Sequence, residues 1–221
     1  VVSFAKESGF QDLIAGLLRD PRTPPSSRLI LLESMPRTAL ERLPAIWIAE
    51  ARWSLEHSDV RVQRQAVAVL RQAGIPDFDA RLVDLARDET RALELRTEAL
   101  GVVAPRLMRL EAGLFAFLRA SLDRERPPLQ RLSAAEVLGR CPLDDGQLDR
   151  LTADLPGAGP LELPRLVAVY ERARTPGPVK KFLEAIEKAP AVSSIPADAL
   201  RRVFRPHAEL KDRSAGLLKR L

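Results

Sequence analysis

One cysteine, two histidines and a few paired acids are the side chains with the chemistry to attack a carbonyl, hold a metal or move a proton. Cys141 follows Arg140 where a helix is expected to stop at Pro142. A reactive thiolate needs a base or positive charge close by. No base can be placed beside it, so Cys141 reads as a small buried residue. A single thiol closes no internal disulfide, and neither Cys-x-x-Cys nor Cys-x-x-Cys-His occurs. His57, in Glu56-His57-Ser58-Asp59, is expected at a helix end, where an imidazolium would meet the terminal carbonyls. His207 follows Pro206 at an expected helix start. With one histidine in each half and no cysteine pair, the sequence offers no zinc or haem ligand set. The expectation is no metal, no cofactor and no catalytic residue.

The acids divide in the same way. Asp144-Asp145 and Asp84, Asp88 and Glu89 could be imagined as acid/base pairs. Asp144 precedes Gly146-Gln147-Leu148 and fits a helix cap, while Asp84 and Asp88 lie one turn apart on a solvated face, their repulsion offset by Arg81 and Arg87. Pro156-Gly157-Ala158-Gly159-Pro160 contains a Gly-x-Gly, but a dinucleotide loop needs a preceding strand and a third glycine. It reads as a helix-to-helix turn.

Those residues are positioned by elements that repeat. Arg64-Gln65-Ala66-Val67-Ala68-Val69-Leu70, Arg96-Thr97-Glu98-Ala99-Leu100-Gly101, Leu132-Ser133-Ala134-Ala135-Glu136-Val137-Leu138 and Arg165-Leu166-Val167-Ala168-Val169-Tyr170 align on Ala66, Ala99, Ala134 and Leu166 at intervals of 33, 35 and 32 residues. That period belongs to helix-pair solenoids. Apolar residues return at helical spacing, and no segment shows the strict alternation of a half-buried strand. The expectation is an all-α chain: a right-handed α-solenoid of about six HEAT-like antiparallel helix pairs in one domain spanning 1–221. A partial repeat occupies 1–22, five pairs occupy 23–193 and a last pair occupies 194–221.

The pairs are expected at 26–35 with 40–56, 60–73 with 79–88, 90–104 with 109–122, 127–140 with 145–154, and 161–174 with 177–188. Asp59 should cap the third of these helices, and Gly74 followed by Pro76 should close it. Asp77 and Asp79 offer caps for the next. Pro196 is expected in the first turn of a helix to about Phe204, followed by a helix from His207 to Leu221.

Net charge is +5 with a pI near 9.9. Of the 35 basic residues only six are Lys, and the arginines are dispersed among 30 acids, whereas nucleic-acid binding needs a clustered stripe of phosphate contacts. Such a stripe would require Arg42, Arg52, Arg81, Arg87, Arg119 and Arg150, all expected on the second helices of their pairs, to line one concave face. Arg201, Arg202 and Arg205, near Lys211 and Arg213, form the densest positive cluster and suit an acidic partner domain. Trp47 and Trp53 share a helix but point about 120° apart at about 100° per residue, so they form no joint stacking platform. Trp53, seven residues after Ile46, is expected in the core. Trp47, one turn after Leu43, is expected to border a groove where a partner could dock.

No apolar run of 18 residues is present, so no membrane span is expected. The chain opens Val1-Val2-Ser3-Phe4 without an initiator Met, and reads as processed or cut from a longer protein. If so, Phe4, Phe10, Leu13 and Ile14 are the expected former contact face.

Pro128-Leu129-Gln130-Arg131-Leu132-Ser133-Ala134-Ala135-Glu136-Val137-Leu138-Gly139-Arg140, Leu143-Asp144-Asp145-Gly146-Gln147-Leu148, Gly159-Pro160-Leu161-Glu162-Leu163-Pro164 and Ser193-Ser194-Ile195-Pro196-Ala197-Asp198-Ala199-Leu200 carry a family resemblance. Roughly residues 25–221 resemble the HEAT-like segment of large exported haem-binding proteins of planctomycete type. These are membrane-bound-dehydrogenase-like proteins in which the repeats join a β-propeller to a c-type cytochrome. The resemblance implies a connecting module of an exported, periplasmic electron-transfer protein. It carries over no catalytic residue, because the matched positions are caps, turns and core. The function expected from all this is a non-enzymatic scaffold whose partner is a protein or neighbouring domains, with a basic nucleic-acid-binding surface as the alternative.

Overall fold

The computed structural model describes residues 4–38 and 40–219, and every regular element among them is helical. Contacts gather the chain into two units, Val1–Val103 and Ala104–Leu221.

The first unit holds α1 (Ser8–Arg19), α2 (Pro25–Ser34), α3 (Ala45–Ser54), α4 (Val60–Ala73), α5 (Asp79–Arg87) and α6 (Leu93–Val103). α4 matches its expected span because both ends are encoded locally. The Asp59 carboxylate accepts from the Arg61 amide, and Gly74 takes a left-handed φ of 64° that a side chain would oppose. Helix α3 is shorter than expected. Pro44 disfavours helical geometry in the residue before it, so the helix begins at Ala45 and not at 40. The expected Asp77 and Asp79 caps of α5 are also corrected: Phe78 holds the N-cap position with no side-chain bond, and Asp79 is the first helical residue. Helices α2, α4 and α6 pack in succession, while α1 packs on α3, α3 on α4 and α5 on α6. Trp47, Leu55, Leu70, Leu82, Leu95 and Leu100 fill the interior.

The second unit holds α7 (Ala112–Ala120), α8 (Pro128–Arg140), α9 (Asp145–Thr152), α10 (Leu163–Val167), α11 (Pro176–Ile186), α12 (Ala197–Phe204) and α13 (Lys211–Leu218). Asp144 caps α9 in a full capping box with Gln147, whose side-chain amide also donates to the Leu110 carbonyl at 2.9 Å. The helix expected over 161–174 is broken into α10 and a 3₁₀ turn at Tyr170–Arg172. Pro196 is an N-cap residue instead of sitting inside α12. The helix expected over 207–221 is a 3₁₀ turn, Ala208–Leu210, followed by α13, and positions 220 and 221 lie outside the described residues.

Here α8, α10 and α12 pack in succession, and α9 packs on α11. Helices α8 and α10 approach so closely that a Cβ on Gly139 would sit 2.5 Å from the Arg165 carbonyl oxygen. Tyr170 stacks on Phe182 with ring centroids 4.2 Å apart, and Phe182 meets Phe204 at 5.9 Å. The Tyr170 hydroxyl shares a hydrogen bond of 2.8 Å with Thr152 and donates to the Leu148 carbonyl, while burial raises its pKa. No helix among the described residues is long and apolar enough to cross a membrane.

Candidate functional site

The two tryptophans occupy the reverse of their expected places. Trp47 is fully buried and its indole N–H donates to the Gln11 carbonyl at 3.1 Å, whereas Trp53 is 72% exposed. The expectation used Leu43 and Ile46 to set the register. Leu43 precedes the helix, and the inward face of α3 runs through Trp47, Ile48, Ala51 and Ser54. Trp53 lines a cavity of about 400 Å³ with Arg19, Arg28, Glu50 and His57. Glu50 is almost wholly buried there and paired with Arg19 at 2.6 Å. Phe4 and Leu13 are exposed, Phe10 is half-buried, and Ile14 is covered by this same chain, contrary to expectation.

Five of the nine arginines of the expected surface are committed to acids. Arg42 lies exposed in the bend before α3 and not on that helix; Arg52 is exposed on α3. Arg81 pairs with Glu56, and Arg87 pairs with Asp84 at 2.7 Å. Arg119 grips Asp154 with two bonds of 2.6 and 2.7 Å. Arg201 pairs with Asp198, and Arg202 with Glu171 at 3.0 Å. Arg150 and Arg205 are exposed.

Several of these bonds share a register. Arg19–Glu50 spans 31 residues, Arg64–Glu98 spans 34, Arg119–Asp154 spans 35, Arg131–Glu162 spans 31 and Lys181–Asp149 spans 32. Arg172 does the same to backbone, donating to the Gly139 and Cys141 carbonyls 33 and 31 positions earlier. Each tie joins segments 31 to 35 positions apart.

The nucleophile and base candidates are not brought together. Cys141 is buried, and desolvation pushes its thiol up to about 12 against the pull of Arg172 and Arg140. His57 does not cap the end of α3 as expected; its Nδ1 accepts from the Asp59 amide at 3.0 Å, at the start of α4. His207 is buried, its Nδ1 lies 3.6 Å from Glu209, and its Nε2 has no hydrogen-bond partner. Asp59 and Asp88 are both held at about 2, by Arg61 and by Thr90 with Arg91 respectively, so both serve as ionised turn and cap groups. Among the described residues no group of three or more His, Cys, Asp or Glu could hold a metal ion.

Sequence reasoning missed one grouping. In the second unit two adjoining cavities of about 400 and 510 Å³ share Arg124, Arg131 and the Gly157–Gly159 turn. Arg124 Nε donates to the Gly157 carbonyl at 3.0 Å. Arg131 Nε donates to Glu162 at 2.9 Å and its Nη1 to the Arg124 carbonyl at 3.1 Å. The Glu162 side chain is only 4% exposed. The carboxylate lies against Gly159, where an added Cβ would meet Glu162 Oε2 at 2.5 Å and displace it. The available signal was the separation of Arg131 from Glu162, close to one repeat.

No family model and no curated protein matches the chain. Among solved structures it is similar to human deoxyhypusine hydroxylase in complex with glycerol, at 14% identity and a TM-score of 0.34, over 95% of this chain and 94% of that one.

Proposed function

We propose that the chain is a non-enzymatic scaffold, a right-handed α-solenoid of about six HEAT-like pairs that holds a protein partner or neighbouring domains. The observation that carries this reading is the register of the polar ties. Within each unit they join segments about one repeat apart, as expected when every repeat touches only its neighbours. The contacts from α2 to α4 to α6, and from α8 to α10 to α12, support it further. An indole as exposed as that of Trp53 is the side chain type most enriched at binding hot spots. The resemblance to repeats of exported haem-binding proteins suggests that what is held in register is an electron donor and acceptor.

A photo-crosslinking residue at position 53, compared with one at the exposed Leu129, tests the scaffold role in the source cell. A discrete product from position 53 is expected. No product from either position overturns the reading.

The nucleic-acid alternative is weakened because Arg81, Arg87, Arg119, Arg201 and Arg202 already face carboxylates, which leaves Arg42, Arg52, Arg150 and Arg205 of the expected surface. A duplex DNA titration at low salt is expected to show no saturable binding. Affinity that falls by orders of magnitude between 50 and 200 mM salt would reinstate the alternative.

A further inference from the structure

We propose that the cleft between α8 and the Gly157–Gly159 turn in the second unit is a binding site for a phosphate monoester. Of the two adjoining cavities, the first is electrically balanced: Arg119, Arg124 and Arg131 face Asp123, Asp154 and Glu162. Among the described residues, the second is lined by the same Arg124 and Arg131 and by no acid; Glu162 pairs with Arg131 from the first cavity, so the charge the second holds in surplus is that of Arg124. Its volume of about 510 Å³ falls within the range of small-molecule sites.

Arg131 is held by two bonds and Arg124, on the surface, by one. Arg124 is anchored through Nε to the Gly157 carbonyl. Arg131 is anchored through Nε to the buried Glu162 carboxylate and through Nη1 to the Arg124 carbonyl. Beyond these bonds the Nη groups of Arg124 and the Nη2 of Arg131 remain as donors, and guanidinium donors suit phosphate oxygens. Pro156, Pro160 and Pro190 stiffen the wall, and the exposed Ser193 hydroxyl stands at its rim. Preorganised donors bind at lower entropic cost than mobile surface cations. Glu162 is a positioning residue here: its carboxylate orients Arg131.

The phosphate ester can reach the cleft on a free small molecule or on a phosphorylated side chain, and the test separates the two. Calorimetric titrations would use inorganic phosphate, glycerol phosphate, a phosphoserine peptide and acetate, on the whole chain and on R124A. The Arg124 side chain is exposed, so that variant retains the fold, as circular dichroism would verify. Saturable binding of one phosphate per chain, weakened about tenfold or more by R124A, is expected. Tighter binding of glycerol phosphate assigns a small molecule; tighter binding of the peptide assigns a modified protein. The proposal is overturned if no phosphate compound saturates below about 10 mM, if R124A binds as well as the parent, or if acetate binds as tightly as phosphate.

Discussion

Arg131 reaches from α8 to the carboxylate of Glu162 at 2.9 Å, and that carboxylate is almost wholly shielded from water. A charge in such a place is tolerated only while its counter-charge is present. The pair therefore fastens α8 to the turn that begins α10, across 31 positions of sequence.

Replacing Arg131 with Ala strands the buried Glu162 carboxylate and is expected to cost about 3 kcal/mol of unfolding free energy. Urea denaturation would measure it. The double variant R131A/E162Q, with no charge left to bury, should recover part of the loss; recovery of none would mean that the guanidinium acts through packing alone.

Two glycines should answer alanine with opposite signs. At Gly139 a methyl group collides with the Arg165 carbonyl, and overpacking of this kind costs about 1–3 kcal/mol. Gly16 lies inside α1 with nothing within 4 Å of an added Cβ, so G16A should stabilise the chain by about 0.5–1 kcal/mol. Thermal melts of the two variants would show the midpoint falling in one and rising in the other.

Of the two indoles, only that of Trp53 should be reached by iodide in a fluorescence quenching experiment. W47A removes a fully buried ring and the hydrogen bond to Gln11, at a cost of about 3–5 kcal/mol. W53A should leave the unfolding midpoint within error, so a partner lost in W53A would be lost at the surface.

Asp59 ionises at about 2 in the folded chain because Arg61 bonds it through both side chain and backbone. Its unfolded value is near 3.9. A depressed carboxylate stabilises the fold above the unfolded value, and that contribution disappears as pH falls through the folded one. Stability should decline between about pH 4 and pH 2, and D59A should show a shallower decline over that window when guanidinium midpoints are compared.

Much of the helical layout was legible because it is written in short-range signals. Asp59 and Gly74 bracket α4, Asp144 with Gln147 starts α9, and Ala66, Ala99, Ala134 and Leu166 repeat where helices pack. What escaped was set by proline and by distance. Pro44 set the start of α3 and left Leu43 outside it, so Leu43 was no guide to the inward face, which runs through Trp47 and leaves Trp53 exposed. Arg87 with Asp84 and Arg201 with Asp198 lie three residues apart, within reach of a local reading, but the partners of Arg119, Arg131 and Arg202 were hidden because local charge balance says nothing about a carboxylate some thirty residues away. The Arg124 and Arg131 cleft was invisible for the same reason: its members come from α8, from the segment before it and from the turn ahead of α10.

Arg172 donates to the carbonyls of Gly139 and Cys141, the groups that the end of α8 leaves without internal partners. The stopping point of that helix is thus underwritten by a side chain some thirty positions further along. Grafting α8 elsewhere by genetic engineering would leave raw carbonyls at the new junction unless a matching arginine travelled with it.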